Sequence, residues 1–283
     1  MRIGVLCSLV RVEEKMIFQA LRQRGVEFER LDDRQLVFDL NGGTAPQCEL
    51  VLVRCVSYSR ALYATRLLEM QGVKTVSSHR AVATCGDKIM TTQAFLERGI
   101  PTPHTAVALS EEMSLAAMEV LGYPVVLKPP IGSWGRLIVK INDRQAAEAV
   151  VEYKQALEKD HDQPFYLQEY IDKPGRDIRT LVVGDETVYA IYRSSSHWIT
   201  NTARGSTVSN LPLTDEIDSL SRSAAAAVGG DIVAVDLLET RQGNLLVNEV
   251  NHTPEFHGAM QVANVDIAGK IVDYLIRVAQ EAR

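Results

Sequence analysis

Two apolar runs near the C-terminus, residues 232–238 and 245–250, place the strongest constraint on how this chain can fold. Both are rich in β-branched residues and are separated by Arg-Gln-Gly-Asn, so they predict an antiparallel β-hairpin. A symmetric turn centred on Gln242 and Gly243 places Asp236 opposite Glu249, with Asn251 on the same face. The pattern therefore predicts three polar side chains on one face of an otherwise apolar pair of strands.

This polar face needs a charge partner. Carboxylates that face each other across a β-ladder repel, and in a half-buried pair a shared proton or a bound cation relieves the repulsion. Carboxylate and amide oxygens are hard ligands that suit Mg²⁺ bridging phosphate groups. We therefore interpret Asp236, Glu249 and Asn251 as the metal-binding part of a nucleoside-triphosphate site.

The rest of the chain alternates between predicted strands and helices. Up to residue 86 the order is β-α-β, which predicts a small parallel sheet with helices on both faces. Residues 105–157 predict a small α+β unit, and the remainder is mainly antiparallel, with helices at 215–228 and 266–279. We expect an α/β (α+β) protein with three domains, at residues 1–86, 87–167 and 168–283.

Composition limits the classes of function. The 30 basic and 36 acidic residues give a formal charge of −6, which offers no reason to expect binding to nucleic acid or to a membrane. The four cysteines lack Cys-x-x-Cys spacing, which favours reduced thiols over a zinc site or disulfides. Since there is neither a membrane-length apolar run nor a signal-peptide cleavage site, we expect a cytoplasmic protein.

A glycine-containing loop, residues 129–136, joins two predicted strands. Gly132 and Gly135, with Ser133 between them, let the backbone approach a ligand closely, and consecutive N–H groups can bind phosphate. An ordinary glycine-bearing hairpin is the alternative interpretation. Lys128 precedes this loop and Lys88 begins a helix, so each suits either a phosphate contact or an ordinary surface position.

Further polar segments suit the remaining parts of a nucleotide and a substrate. The backbone of Gln168, Glu169, Tyr170 and Ile171 can pair with the edge of adenine, and Asp177 can accept hydrogen bonds from ribose. Residues 194–205 are rich in small polar groups, and their neighbours favour a substrate-binding loop over a solvated connection.

Two arginines occupy the arms of a second predicted hairpin, which turns at Gly184 and Asp185. A symmetric turn there places Arg179 and Arg193 on opposite faces, so we expect them to have different roles. The sequence has no histidine cluster, nucleophile elbow or Ser-His-Asp arrangement.

The order of these segments is specific. They read GDK at 86–88, PVVLK at 124–128, IGSWGR at 131–136, QEY at 168–170, KPGRDIR at 173–179, HWITNTARG at 197–205 and NEVNHT at 248–253. Over nearly its whole length the chain resembles the ATP-grasp family of carboxylate–amine ligases. Within that family it is most similar to the LysX type, which acts on an amino-group carrier protein in bacterial lysine biosynthesis. RimK-type glutamate ligases share the framework but match the substrate loop less well.

The resemblance implies an ATP-grasp fold, in which an N-terminal parallel-sheet domain precedes central and C-terminal domains that clasp ATP. It also implies roles for individual residues. ATP would contact Lys88, Lys128, Gly132, Ser133, Gly135, Gln168, Glu169, Tyr170, Ile171 and Asp177. Two Mg²⁺ ions would be held by Asp236, Glu249 and Asn251, and catalysis would use Arg193 and Asn201. The substrates would contact Arg179, Asn201, Thr202, Arg204, Gly205, His252 and Thr253.

The implied reaction phosphorylates the side-chain carboxylate of a carrier protein's C-terminal glutamate, which is then joined to the α-amino group of 2-aminoadipate. We expect a small acidic carrier protein and an amino acid as partners, and a homo-oligomeric enzyme. Glutamate as the acceptor amine and a RimK-type ligase acting on a protein tail are alternatives. A regulatory protein with a degenerate nucleotide site is a third, against which the complete set of Asp236, Glu249 and Asn251 argues.

Two departures from the related ligases concern the amino-acid pocket. Ser206 stands where they usually carry a second glycine, and His257-Gly258 stands in place of Lys-Asn. These departures leave the phosphoryl chemistry untouched and keep the identity of the acceptor amine open.

Overall fold

The computed structural model describes residues 1–43, 45–132, 135–157, 164–200 and 205–281. The N-terminal part alternates strands and helices: β1 (Arg2–Leu6), α1 (Val12–Gln23), β2 (Glu27–Leu31), β3 (Leu50–Val53), α2 (Tyr58–Met70) and β4 (Lys74–Val76). The strands form a sheet in the order β2-β1-β3-β4 in which every pair is parallel. The predicted parallel sheet is confirmed.

The elements in the middle of the chain are α3 (His79–Gly86), α4 (Lys88–Glu97), β5 (Thr105–Ala108), α5 (Glu111–Leu121), β6 (Val125–Lys128), β7 (Val139–Ile141), α6 (Arg144–Leu157) and β8 (Phe165–Glu169). Their strands form an antiparallel sheet in the order β5-β8-β6-β7. Apolar residues from the two later helices and the sheet, including Met118, Val151 and Leu127, form one cluster. Lys128 ends β6 at the edge of this cluster, which places its side chain beside the site described below.

The C-terminal part is built on a larger antiparallel sheet. Its elements are β9 (Arg176–Val183), β10 (Glu186–Ser194), β11 (Thr207–Leu211), α7 (Asp215–Val228), β12 (Ile232–Glu239), β13 (Leu245–Asn251), a 3₁₀ turn (Ala259–Gln261) and α8 (Ile267–Glu281). The strands follow the order β11-β10-β9-β12-β13. β11 was not predicted, because its half-exposed sequence TVSNL lacks an apolar face and is held by pairing with β10.

Helix α7 shows how local sequence sets an element's bounds. Thr214 caps its N-terminus by accepting a hydrogen bond from the Ile217 N–H, and acidic residues fill the first turn. Gly229 ends it in the left-handed region at φ 68°. The apolar face packs under the C-terminal sheet, in a cluster with Val233, Val235 and Val247. The opposite face of β12 and β13 is thereby left for polar side chains.

A second cluster joins the first and third sheets. It contains Ile3 and Ile17 from the N-terminal part, Leu181 and Ile191 from the C-terminal sheet, and Val272 from α8. The N-terminus of α1 is therefore packed against the segment that follows β13. No helix in the described ranges has the length and apolar character needed to span a membrane.

Candidate active site

Two neighbouring cavities meet at the polar face of the C-terminal sheet. The first lies between this sheet and the central sheet, and the second lies between the C-terminal sheet and the N-terminal part. Among the described residues five border both cavities, and we call them the shared wall: Gly132, Gly135, Arg193, Asp236 and Glu249. A group bound in one cavity can therefore meet a group bound in the other at this wall.

The predicted pairing of Asp236 with Glu249 is confirmed, and Asn251 pairs with Ala234 on the same face. The turn differs from the prediction. It spans Arg241–Gly243, with Gly243 at φ 88°, and is one residue tighter than a turn centred on Gln242 and Gly243. A bulge compensates, because Leu237 pairs with Val247 and leaves an extra residue, at position 248, in β13.

Arg179 and Arg193 lie on the same face, so the prediction that they occupy opposite faces is wrong. The ladder between β9 and β10 shifts by one residue after Thr187, where Val188 bulges out. Arg193 then pairs with Asp177 and Ile191 with Arg179. Because of the bulge, every later side chain in β10 lies on the face of the sheet opposite to the one predicted. Arg193 therefore faces the site.

Both arginines bind the buried carboxylate of Asp236. Arg179 Nη1 lies 2.9 Å from Asp236 Oδ1, and Arg193 Nη2 lies 3.1 Å from Asp236 Oδ2. Burial alone would raise the pKa of Asp236, but the charges of Arg179 and Arg193 outweigh it and hold that pKa below its usual value. Asp236 is therefore ionised in the absence of any metal.

Glu249 and Asn251 complete the polar set. Asn251 Nδ2 lies 3.4 Å from Glu249 Oε1. The described residues hold no cluster of three His, Cys, Asp or Glu side chains suited to a metal. The candidate set has two carboxylates and one amide, and these hard oxygens on paired strands fit Mg²⁺.

Lys128 is buried at the centre of the first cavity. Its Nζ donates to Gln168 Oε1 at 2.6 Å and to Asn248 Oδ1 at 2.9 Å. Burial lowers the pKa of Lys128 to about 8, against the raising effect of Glu249. Asn248 is the bulged residue of β13, and the sequence interpretation missed it. A polar residue within an apolar strand was the available signal.

Lys88 begins α4 beside the glycine loop. Its Nζ donates to the Gly132 carbonyl at 2.8 Å, and its backbone N–H donates to the Pro130 carbonyl at 2.9 Å. Gly135 has φ 65°, which favours glycine. Gly132 and Gly135 border the first cavity, and both predicted phosphate-binding lysines line it. Ser133 falls outside the described residues.

The segment predicted to contact adenine and ribose also lines the first cavity. Gln168 is buried and holds Lys128, and the Glu169 side chain accepts from the His104 N–H at 2.7 Å. Tyr170 lies under Lys140, whose Nζ is 3.7 Å from the ring centroid, and Ile171 follows it in the wall.

Asp177, which was predicted to contact ribose, accepts hydrogen bonds from side chains of the protein itself. Its oxygens accept from Arg193 at 2.7 and 2.9 Å and from Thr200 Oγ1 at 2.5 Å. Lys173, which the sequence interpretation did not single out, donates to Thr200 at 2.6 Å and lines the same cavity. In this structure Asp177 therefore fixes the orientation of Arg193, and its contact with ribose stays a prediction.

The second cavity contains the predicted substrate residues Arg179, His252 and Thr253. Burial lowers the pKa of His252 to about 4, so this ring is neutral at neutral pH. The cavity encloses about 280 Å³, close to the lower end of the roughly 300–1,000 Å³ typical of small-molecule sites. Asn201, Thr202 and Arg204, predicted to act on the substrates, lie outside the described residues. Gly205, which follows them, has φ 81°.

The N-terminal part supplies a wall of the second cavity that the sequence interpretation missed. Glu13 is buried and its Oε1 accepts from Phe256 N, His257 N and His257 Nδ1, at 3.1, 3.1 and 2.6 Å. Arg54 donates to the Pro254 carbonyl at 2.9 Å, and Arg11 donates to Glu255 at 3.0 Å. These contacts hold the segment after β13 in place, and no local motif indicates such long-range partners.

Comparison with known proteins assigns this arrangement to a family. Residues 85–275 match the RimK-like ATP-grasp domain, and residues 3–85 match the LysX preATP-grasp domain. The chain is 36% identical over 277 residues to the glutamate–LysW ligase ArgX of Sulfurisphaera tokodaii, covering 97% of this chain and 98% of that protein. It is 33% identical over 260 residues to the α-aminoadipate–LysW ligase LysX of Saccharolobus solfataricus, covering 91% and 94%.

The fold agrees with these relatives. The crystal structure of a RimK domain ATP-grasp protein from Sphaerobacter thermophilus superimposes with a TM-score of 0.79 at 23% identity, covering 98% of this chain and all of that one. The predicted fold and the predicted family resemblance are both confirmed. Members of this family use ATP. The chain therefore belongs to the RimK-like ATP-grasp family and is an ATP-dependent ligase.

Proposed function

We propose that this enzyme joins the α-amino group of an acidic amino acid to the side-chain carboxylate of a C-terminal glutamate on a small acidic carrier protein. 2-Aminoadipate is the proposed acceptor amine, and glutamate is the alternative. ATP would occupy the first cavity and the two carboxyl-bearing substrates would meet in the second. The curated relatives named as LysW ligases support a protein carrier as partner.

The shared wall is the observation that carries this proposal. A carboxylate does not react with an amine until one of its oxygens is converted into a leaving group. Transfer of the ATP γ-phosphoryl group to that oxygen gives an acyl phosphate and ADP, and the amine then displaces phosphate and loses a proton. Such a reaction needs a nucleotide cavity that opens onto a substrate cavity, with ionised and cationic groups at the junction, and Asp236, Glu249 and Arg193 stand there.

Asp236, Glu249 and Asn251 are the proposed holders of two Mg²⁺ ions. When bound, Mg²⁺ neutralises charge on the phosphate groups of ATP. Among this chain's own groups, Lys88 and Lys128 bring positive charge to the first cavity, and Arg193 does so at the junction. Arg193 is held on two sides by Asp177 and Asp236, so its guanidinium is oriented before a substrate binds.

The segments that close the site protect the intermediate. An acyl phosphate is hydrolysed by water, and a covered site excludes water. Gly132 at the first cavity is held by a hydrogen bond from Lys88, and the segment after β13 is held by Glu13. No protein nucleophile is required, in agreement with the sequence, which contains no nucleophile motif.

Intact-mass spectrometry tests the proposal. The enzyme is incubated with MgATP, an acidic carrier protein ending in glutamate, and either 2-aminoadipate or glutamate. The two adducts differ by one methylene, so the mass identifies the amine. A carrier adduct with 2-aminoadipate that depends on ATP is expected. An adduct with glutamate alone would establish the alternative, and no carrier adduct with either amino acid would reject the carrier.

A further inference from the structure

Tyr189 has a buried hydroxyl that the described part of the protein leaves unsatisfied. Its side chain is 5% exposed, and its Oη has no hydrogen-bond partner among the described residues. The residue lines the second cavity. Because buried polar groups in native proteins are nearly always paired, this hydroxyl calls for a partner outside the described residues, and a ligand in the second cavity is in a position to supply one.

Packing alone does not account for a tyrosine at this position. The ring of Tyr189 belongs to the apolar cluster that contains Leu181, Ile191 and Phe256. A phenylalanine would bury the same ring and would avoid the unpaired hydroxyl, which destabilises the folded state. The unpaired hydroxyl therefore lowers the stability of the folded protein, as is typical of groups that bind a ligand.

The bulge at Val188 directs this side chain into the site. After the register shift, Tyr189 pairs with Leu181 and lies on the same face of the sheet as Arg179. Without the extra residue, Tyr189 would point to the opposite face, where α7 packs. The same feature that positions Arg193 thus also positions the hydroxyl.

The neighbouring groups define the chemistry of the missing partner. Arg179 lines the same cavity, and its two hydrogen bonds to Asp236 both use Nη1. Asp236 is the carboxylate partner of Arg179 among the described residues, and the guanidinium lies beside the Tyr189 hydroxyl, so both groups can face one ligand. A phenol donor beside a guanidinium is suited to a carboxylate, which accepts from both.

We infer that Tyr189 is a specificity-determining residue that donates its hydroxyl hydrogen to a carboxylate of the amino-acid substrate, beside Arg179. This inference rests on the proposed ligase function. It assigns the amino acid, and not the carrier, to the end of the second cavity formed by β9 and β10.

Substitution of Tyr189 by phenylalanine, with Tyr192→Phe as the matched control, tests the inference. Tyr192 lies three positions along the same strand on the opposite face, with its ring 3.9 Å from the guanidinium carbon of Arg176. In Tyr189→Phe the KM for the amino acid should rise by about 10- to 100-fold, the loss expected for one hydrogen bond to a charged group. The KM values for ATP and carrier should stay unchanged, and Tyr192→Phe should resemble the wild type.

Thermal unfolding without ligand separates binding from structure. If the hydroxyl serves only a ligand, Tyr189→Phe unfolds at the same temperature as the wild type or a higher one. A structural hydroxyl would instead lower that temperature, and this result would overturn the inference. An unchanged KM for the amino acid, or a rise confined to the KM for the carrier, would overturn it as well.

The proposed ligase reaction and the proposed role of Tyr189 can be tested independently of each other. If the wild type forms no adduct, the proposed function is wrong, and binding is then measured directly as the rise in unfolding temperature caused by glutamate or 2-aminoadipate with ATP present. A rise in the wild type that is lost in Tyr189→Phe supports the inference. An equal rise in both proteins, or no rise in the wild type, contradicts it.

Discussion

Asp236 lies directly opposite Glu249 on paired strands, yet the two carboxylates have different partners. Asp236 is bound by Arg179 and Arg193. Within the described residues Glu249 forms no ion pair, and its contacts are the amide of Asn251 and the facing carboxylate of Asp236. The like-charge repulsion expected across this ladder is therefore relieved on one side by the protein itself. Glu249 is the member of the pair with oxygens left for a cation.

This asymmetry predicts that Glu249→Gln separates activity from stability. ADP release in the presence of carrier and amino acid should be lost, because the variant lacks the carboxylate at the shared wall. The free energy of unfolding should change by less than about 1 kcal/mol, since losing the attraction of Glu249 for Lys128 is offset by relief of its repulsion with the facing Asp236. A coupled ADP assay and urea unfolding measure the two quantities. Normal ADP release would remove Glu249 from the metal site.

Asp236→Asn should instead damage the fold. The substitution leaves Arg179 and Arg193 without their shared counter-charge, and Arg193 is only 4% exposed. Breaking a buried pair of this kind costs about 3–5 kcal/mol. Asp218→Asn is the control, because the Asp218–Arg222 pair is exposed on α7 and should be worth less than about 1 kcal/mol. Equal losses of unfolding free energy in the two variants would argue against the arginine clamp.

The lowered pKa of Lys128 predicts that nucleotide binding depends on pH. Its pKa is lowered to about 8 from an ordinary 10.5, so the free protein carries the charge below pH 8 and loses it as the pH rises further. The proposed contact with the ATP phosphates needs the protonated form, so affinity should be constant well below pH 8 and should fall by up to about tenfold per pH unit above it.

The control for this titration is Gln168→Glu. It places a carboxylate at the position that accepts from Lys128 Nζ at 2.6 Å, which should raise the pKa of Lys128 and move the fall in affinity to higher pH. Calorimetric titration of ATP between pH 7 and 10 measures both proteins. Identical pH profiles would show that Lys128 is not the group responsible.

The hydrogen bonds that Glu13 accepts from the segment after β13 predict that the N-terminal part affects binding of the amino acid. Glu13→Gln weakens the acceptor for three donors of the segment after β13, so that wall of the second cavity should lose its position. The KM for the amino acid should rise by about tenfold or more, as expected when one charged hydrogen-bond acceptor is lost, while the KM for ATP stays the same. Glu186→Gln, an exposed carboxylate paired with Lys270 far from the cavity, is the control, and a similar rise there would refute a specific role for Glu13.

Local sequence patterns predicted much of this architecture. The alternation of predicted strands with helices indicated the parallel sheet, and helix α7 spans the residues 215–228 that were predicted for it. Asp236, Glu249 and Asn251 were correctly assigned to one face of a hairpin, since strand alternation is set by the nearest neighbours.

What sequence patterns missed depends on bulges and on distant contacts. The extra residue at Val188 put Arg193 beside Arg179, and the extra residue at Asn248 preserved the Asp236–Glu249 pairing despite a tighter turn. A bulge forms where packing on both faces of a sheet favours it, and neither β10 nor β13 marks the position with glycine. The Glu13 contacts with the segment after β13 join residues more than 240 positions apart.

In the proposed reaction, a carboxylate is phosphorylated at the shared wall between the two cavities. Trapping with hydroxylamine tests it most directly, because hydroxylamine converts an acyl phosphate into a stable hydroxamate. The wild type with MgATP and carrier, but no amino acid, should place a hydroxamate on the side chain of the carrier's terminal glutamate, and Glu249→Gln should place none. A hydroxamate on the free amino acid supplied in place of the carrier, or ADP release without any hydroxamate, would contradict the account.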